Sequence, residues 1–140
     1  MSTITVTGRL TRDPELRYTP TGKAVLNLSI AENHSRRDDA TNEWVQTGTT
    51  FYNVTRWGGQ TSTAEVEAIA EALHKGDLAL IIGTLRTREY QHDGETRRGV
   101  ELIADEVAAL FRGQTVTVTR NQGAPAADAE APVDYQPTDY

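Results

Sequence analysis

Polar and apolar residues alternate strictly from Thr3 to Leu10 (Thr-Ile-Thr-Val-Thr-Gly-Arg-Leu). This period of two marks a half-buried strand, with Ile4, Val6 and Leu10 facing the core. The same period runs from Lys23 to Ile30 and turns Ala24, Leu26, Leu28 and Ile30 inward. Between these two strands, Asp13-Pro14 and Pro20-Thr21-Gly22 carry turn chemistry. The polar run Asn33 to Asn42, rich in Asp, Arg and Ser, predicts a long hairpin loop. A third strand follows from Thr49 to Trp57. A fourth spans Leu78 to Tyr90, long enough to bend at Gly83. After a turn at His92-Asp93-Gly94, a fifth returns from Thr96 to Ile103. A single helix interrupts them. Ser62-Thr-Ala-Glu65 reads as a capping box, in which the hydroxyl and the carboxylate each satisfy an orphan N–H. Val66, Ile69, Ala70 and Leu73 follow at helical spacing, and Gly76 suits the stop.

Three strands, a helix and two strands is the order of an all-β OB-fold, a five-stranded Greek-key barrel with its helix between strands three and four. Another small α+β domain has the same elements; the strands' side chains favour the barrel. In the third strand, Thr50, Tyr52 and Val54 share one face, and Phe51, Asn53, Thr55 and Trp57 the other. Large rings separated by polar residues suit an exposed platform better than a core. The fourth strand sets Arg86, Arg88 and Tyr90 in one row, and the first adds Arg9 opposite its core face. Flat rings interleaved with guanidinium groups match single-stranded nucleic acid: bases stack on rings at roughly 1–3 kcal/mol each, and cations follow the phosphates. On the other reading, Phe51 and Trp57 are core residues and the arginines a solvated face. Arg56 shares parity with Tyr52 and Val54. It therefore either snorkels at the strand end or marks a different register there.

The charge balance first argues against such a ligand: 14 Lys+Arg against 20 Asp+Glu give −6. Its distribution changes that. From Gly123 to Tyr140 there are three prolines, four acids and no Lys or Arg, the composition of a disordered tail. Without those four, 16 acids face 14 bases, a balance of −2. Cys is absent, so disulfides, thiolate metal sites and cysteine nucleophiles are excluded. The apolar runs fall far short of the roughly 20 residues needed to span a bilayer, and no secretory pattern opens the chain. A soluble cytoplasmic protein is expected, with no membrane partner. His34, His74 and His92 share no spacing that suits a metal. Asp38-Asp39 and Asp105-Glu106 read as solvated charges. No nucleophile elbow, Walker loop or dinucleotide fingerprint follows a strand. No enzyme, cofactor or metal is expected.

The segments Val6 to Tyr18 (Val-Thr-Gly-Arg-Leu-Thr-Arg-Asp-Pro-Glu-Leu-Arg-Tyr), Thr21 to Val25 and Gly83 to Tyr90 closely resemble bacterial single-stranded-DNA-binding proteins of the actinobacterial type. Asp39 to Trp44, Asp105-Glu-Val and Arg112 extend the likeness over about residues 3 to 120. The resemblance implies a homotetramer that wraps single-stranded DNA on its outside without sequence preference, in replication, recombination and repair. It places Phe51, Trp57 and Tyr90 where relatives stack rings on bases, and Arg36 where relatives carry a loop tryptophan, with Trp44 nearby. The implied phosphate and base contacts are Arg9, Arg17, Lys23, Arg36, Arg37, Arg56, Arg86, Arg88, Arg97 and Arg98.

The expected organisation is a binding domain over 1–112, an extra strand over 113–122 and the tail over 123–140. Thr115-Val-Thr-Val-Thr119 alternates after the barrel is complete. In actinobacterial relatives a similar segment clamps a neighbouring subunit; a flexible β-prone piece is the alternative. The tail ends Val133-Asp-Tyr-Gln-Pro-Thr-Asp-Tyr140, without the acidic tip, Pro and terminal Phe by which relatives recruit replication and repair enzymes. Recruitment by this tail is therefore an open expectation, and a phage-encoded version or a second cellular copy fits it. Two function classes stand: a non-catalytic coat for single-stranded DNA, or an OB module for protein contacts, such as a primosome-like accessory factor. Arginines interleaved with the rings favour the first, because protein interface cores are depleted in charge, Arg excepted.

Overall fold

A computed structural model describes residues 2–59 and 63–120. The elements run β1 (Thr3–Leu10), β2 (Glu15–Tyr18), β3 (Ala24–Arg37), β4 (Trp44–Trp57), α1 (Thr63–Ala72), β5 (Leu78–His92) and β6 (Glu95–Ala109). The sheet order is β1-β5-β6-β4-β3-β2, and β1 also pairs with β3. That last pairing, Arg9 opposite Ala31 and Leu10 opposite Ile30, closes β1, β5, β6, β4 and β3 into a five-stranded barrel. All neighbours are antiparallel except β4 and β6, which run parallel from Asn53 to Thr55. This is the Greek-key barrel of the OB-fold, with its helix between the strands predicted as third and fourth.

The alternation fixes the core. Val6, Leu10, Ala24, Leu26, Leu28, Ile30, Val54, Ile81, Leu102 and Ala104 are buried, joined by Val66 of the helix and by Leu73 just after it. Gly83 marks a register shift between β5 and β6, and a Cβ there would lie 2.1 Å from the Ile103 carbonyl oxygen. Only glycine fits, so the predicted bend is a β-bulge. Asp93 and Gly94 both have positive φ (51° and 77°), which makes the β5–β6 connection a two-residue turn of the type that suits the strands' twist.

Three expectations need correction. The chain has a sixth strand, β2, which pairs with β3 alone, from Glu15 opposite Asn27 to Tyr18 opposite Ala24. The Tyr18 hydroxyl donates to Glu67 of α1 at 2.8 Å, a bond that raises its pKa. Asn33 to Asn42 is not one loop: β3 runs to Arg37 and β4 starts at Trp44, leaving only 38–43 between them. The β5–β6 hairpin is likewise longer than predicted, to His92 and from Glu95 to Ala109. Both hairpins reach past the barrel as two-stranded arms with solvent on either face. At the helix start, Ser62 lies outside the described residues, and the Thr63 hydroxyl donates to Gly59 O at 2.8 Å.

After β6 the Gln114 amide takes up Leu78 at both backbone groups, accepting from its N–H at 2.9 Å and donating to its carbonyl at 2.8 Å. Among the described residues no strand pairs with 115–119, and Val118 is exposed. The tail over 123–140 lies outside the described residues. No described helix is long and apolar enough to cross a membrane.

Candidate nucleic-acid interface

Residues directly opposite in a sheet point to the same face, so the register shows which side chains share the outside of the barrel. One row runs Arg17, Val25, Trp57 across β2, β3 and β4. The next runs Glu15, Asn27, Thr55, Ile103, Thr84, and the next Ser29, Asn53, Glu101, Arg86. Arg9, Ala31 and Phe51 form a fourth row. On the β5–β6 arm, Arg88 lies opposite Gly99 and Tyr90 opposite Arg97. The rings and most of the cations therefore occupy one continuous surface, with the core behind it.

The rings are open. Phe51 keeps 69% of its exposure, Trp57 42% and Tyr90 46%, so the reading of Phe51 and Trp57 as core residues fails. Trp44, at 73%, joins the same face through a bulge. His34 pairs with Gly48 but Ser35 with Gln46, so Thr47 is extra and Arg37 comes to lie opposite Trp44. That extra residue turns an even-numbered ring to the side of the odd-numbered ones. Arg36, opposite Val45, consequently faces the other way from Arg37.

Between β2 and the β5–β6 arm the surface sinks into a groove of about 580 Å³. Its walls carry Arg12, Arg17, Arg88 and Tyr90, and its floor Asn27, Asn53, Thr55 and Glu101. Gly99 lies beside Tyr90, and a Cβ there would sit 3.4 Å from the ring. Arg17 pairs with Glu15, whose carboxyl this hydrogen bond and charge hold below the usual carboxylate range. Glu101 lies 3.9 Å from both Arg86 and Arg88. Lys23 sets its ammonium 5.0 Å from the centre of the Trp57 ring, a cation–π contact.

Not every residue expected in the site stands in it. Arg56 does snorkel, but inward from the core-facing side of β4. Its Nη1 donates to Ala104 O at 3.1 Å and its Nη2 to both Glu65 oxygens at 3.1 and 3.0 Å. It ties β4, β6 and α1 together and is turned away from the rings. Arg98 pairs with Glu89 at 3.3 Å on the opposite face of the arm from Arg97. Arg9 is on the right face, but its guanidinium is held by Gly76 O at 3.0 Å, in a separate depression beside Arg112. Arg12, Asn27, Asn53, Glu15 and Glu101 line the groove without having been picked out from the sequence. The outward parity of Asn53 pointed there; Glu101, one residue before the core position Leu102, was the other available signal.

The histidines are dispersed: His34 lies 2.6 Å from the Thr50 hydroxyl, His74 beside Asp77 and His92 beside Asp93. Among the described residues no three His, Asp or Glu side chains gather to hold a metal.

Known proteins resemble this chain in sequence and in fold. A model of the single-strand binding protein family matches residues 1–110. The single-stranded DNA-binding protein of Paenarthrobacter aurescens is 39% identical over 122 residues, 86% of this chain and 68% of the relative. Single-stranded DNA-binding protein 2 of Streptomyces coelicolor is 37% identical over 121 residues, 86% of this chain and 58% of that one. Two solved structures share the fold. A small single-stranded DNA-binding protein from Streptomyces coelicolor superposes with a TM-score of 0.65 at 19% identity, covering 79% of this chain and 95% of its own. A Plasmodium falciparum SSB in complex with ssDNA superposes with a TM-score of 0.64 at 24% identity and the same coverage.

Proposed function

The chain belongs to the single-strand binding protein family, and from that premise we propose that it binds single-stranded DNA on the outer face of its barrel, without catalysis and without sequence preference. One observation carries the assignment to this face: three exposed rings, Phe51, Trp57 and Tyr90, lie on the same side of the sheet as Arg17, Arg86, Arg88 and Arg97. Successive bases stack on Phe51, Trp57 and Tyr90, with Trp44 extending the path along the β3–β4 arm. Phosphates pass to Arg17, Arg86, Arg88, Arg97, Arg37 and Lys23. Arg36 and Arg98 meet the strand where it crosses to the far side of an arm, and Arg9 takes it at the edge of the barrel. Arg56 is left out because its guanidinium is engaged by Glu65 and Ala104.

The function that follows is coating and protecting DNA strands exposed in replication, recombination and repair, in the cytoplasm. We further propose a homotetramer in which residues 115–119, which pair with no strand among the described residues, add a strand to a neighbouring copy; sedimentation of the chain with and without Val116→Asp and Val118→Asp tests that assembly.

The functional test is titration of the intrinsic tryptophan fluorescence with oligo-dT at low and high salt. Quenching is expected, weakening with salt by a slope of about −0.7 for each phosphate neutralised, and lost in the Phe51→Ala, Trp57→Ala double variant. A folded protein that shows no quenching at either salt concentration refutes the assignment and favours a protein-contact role for the rings.

A further inference from the structure

We propose that Glu101 is a built-in competitor of nucleic-acid phosphate for Arg86 and Arg88, so that a strand loads by displacing a carboxylate from the two arginines. This rests on the DNA-binding reading above and adds a residue that opposes binding.

The placement of Glu101 is specific. It lies across the sheet from Arg86 on one side and from Asn53 on the other, on the floor of the groove. Its side chain keeps 17% of its exposure, whereas Arg86 keeps 66% and Arg88 69%. The carboxylate is therefore recessed beneath two guanidinium groups that stay open above it. Its two oxygens are divided between them, Oε1 at 3.9 Å from Arg86 Nε and Oε2 at 3.9 Å from Arg88 Nη1. At that separation neither is a hydrogen bond; both are charge contacts that a phosphate oxygen at 2.7–2.9 Å outcompetes in geometry.

Two consequences follow. With Glu101 beside them, Arg86 and Arg88 present one net positive charge to the strand instead of two, so they neutralise one phosphate fewer and release fewer of the cations condensed on the nucleic acid. A phosphate settling on Arg86 and Arg88 also meets the negative charge of Glu101, which favours its departure. On the facing wall of the groove Arg17 is also paired with a carboxylate, there through hydrogen bonds to the more exposed Glu15. The groove is thus lined with cations that are partly satisfied before DNA arrives, a design for a strand that must be released as readily as it is bound.

The experiment compares the full chain with its Glu101→Gln variant, using oligo-dT of one length across a salt series, with Glu71→Gln on the exposed face of α1 as the equal-charge control. Competition requires Glu101→Gln to bind several-fold more tightly at low salt, with a salt dependence steeper by about 0.7 in the log–log slope, the value of one further phosphate neutralised on a single strand. Glu71→Gln is expected to leave the slope unchanged. Glu101→Thr, which suits a strand, is expected to reproduce the gain and serves if the glutamine variant does not fold. Equal or weaker binding by the folded variants, or an unchanged slope, overturns the proposal and makes Glu101 a support that holds the arginines in place. If the parent chain itself fails to bind oligo-dT, the DNA-binding reading falls and this inference with it; if the parent binds and the variants bind no better, only the inference falls.

Discussion

Substituting Glu65 by alanine strips the Arg56 guanidinium of its carboxylate, and the structure sets the size of the effect. Arg56 keeps 18% of its side-chain exposure, and its Nε is buried with no acceptor among the described residues. After the substitution, Ala104 O is the acceptor that remains to it. Breaking one side of a fully buried pair costs about 3–5 kcal/mol. Glu65, however, keeps 39% of its exposure, so water already screens its half, and the loss falls toward the value of a charged hydrogen bond, about 1.5–3 kcal/mol. Glu65→Ala is therefore expected to lower the unfolding free energy by about 2 kcal/mol, roughly 8 °C in Tm for a folded part of this size. Arg56→Met leaves only a half-exposed carboxylate behind and is expected to cost about 1 kcal/mol. Arg56→Met with Glu65→Leu removes both charges, and by the usual behaviour of such pairs falls within about 1 kcal/mol of the parent. Guanidinium denaturation of the four proteins closes the cycle, and oligo-dT titration of each folded variant shows whether the site is touched. Affinities within about 0.5 kcal/mol of the parent are expected, because the pair and the rings are on opposite sides of the sheet. A loss below about 0.5 kcal/mol for Glu65→Ala, or a tenfold weaker affinity for a stable Arg56→Met, would refute the reasoning and return Arg56 to the DNA-contacting set.

Further outcomes follow from other parts of the molecule. Phe51→Ala and Tyr90→Ala should each weaken oligo-dT binding by about 1–3 kcal/mol with little change in salt slope; a steep change in slope would mean that the rings act by placing cations. Gly83→Ala sets a Cβ 2.1 Å from Ile103 O, and since backbone must move, a loss of at least about 2 kcal/mol in chemical denaturation is expected; an unchanged midpoint would show that the bulge has room. Burial, then the nearby Glu32 carboxylate, raises the Tyr52 phenol above its ordinary 10.0. The stability this favoured neutral form contributes is complete below the ordinary value and is lost as pH climbs through the raised one. Tyr52→Phe should accordingly flatten the alkaline decline of stability measured by urea unfolding between about pH 9 and about pH 12, and an unaltered decline would sink that assignment.

How much of this was legible in the sequence depends on which side of each strand met the core. In β1 and β3 one face is buried and the other wet, so Ile4, Val6, Leu26, Leu28 and Ile30 print a period of two. The outward parity of Phe51 and Trp57 follows from the same rule applied to Tyr52 and Val54. The β3–β4 arm prints nothing, because residues 33–37 and 44–49 have solvent on both faces and the polar composition there reads as loop. What makes these residues strands is pairing with each other, a non-local fact. The bulge at Thr47 is equally silent, yet it decides that Trp44 and Arg37, rather than Arg36, stand with the rings. β2 is four residues long with Leu16 as its only inward aliphatic residue, too short for a period to show. Arg56 announced its own conflict, being a cation on a core-facing parity; its resolution depended on Glu65, nine positions further on and in a different element.

The contrast between barrel and arms carries a mechanical consequence. Register in the barrel is locked by burial, since a slip of one residue would turn Leu26, Leu28 and Ile30 outward together. Register in the arms is held by a tight turn at Asp93-Gly94, by Gln91 with Thr96 at 2.9 Å and by surface ion pairs such as Glu89 with Arg98, each of which contributes a fraction of what a buried side chain does. The arms are thus expected to open at a lower free energy than the barrel. Phe51 and Trp57 belong to the locked part, and Trp44, Tyr90 and Arg97 to the pliant part. On the proposed reading, a strand laid across this face would meet two fixed rings at its centre and adjustable ones at its margins, an arrangement that would tolerate any base sequence because the outer rings would adjust to the bases.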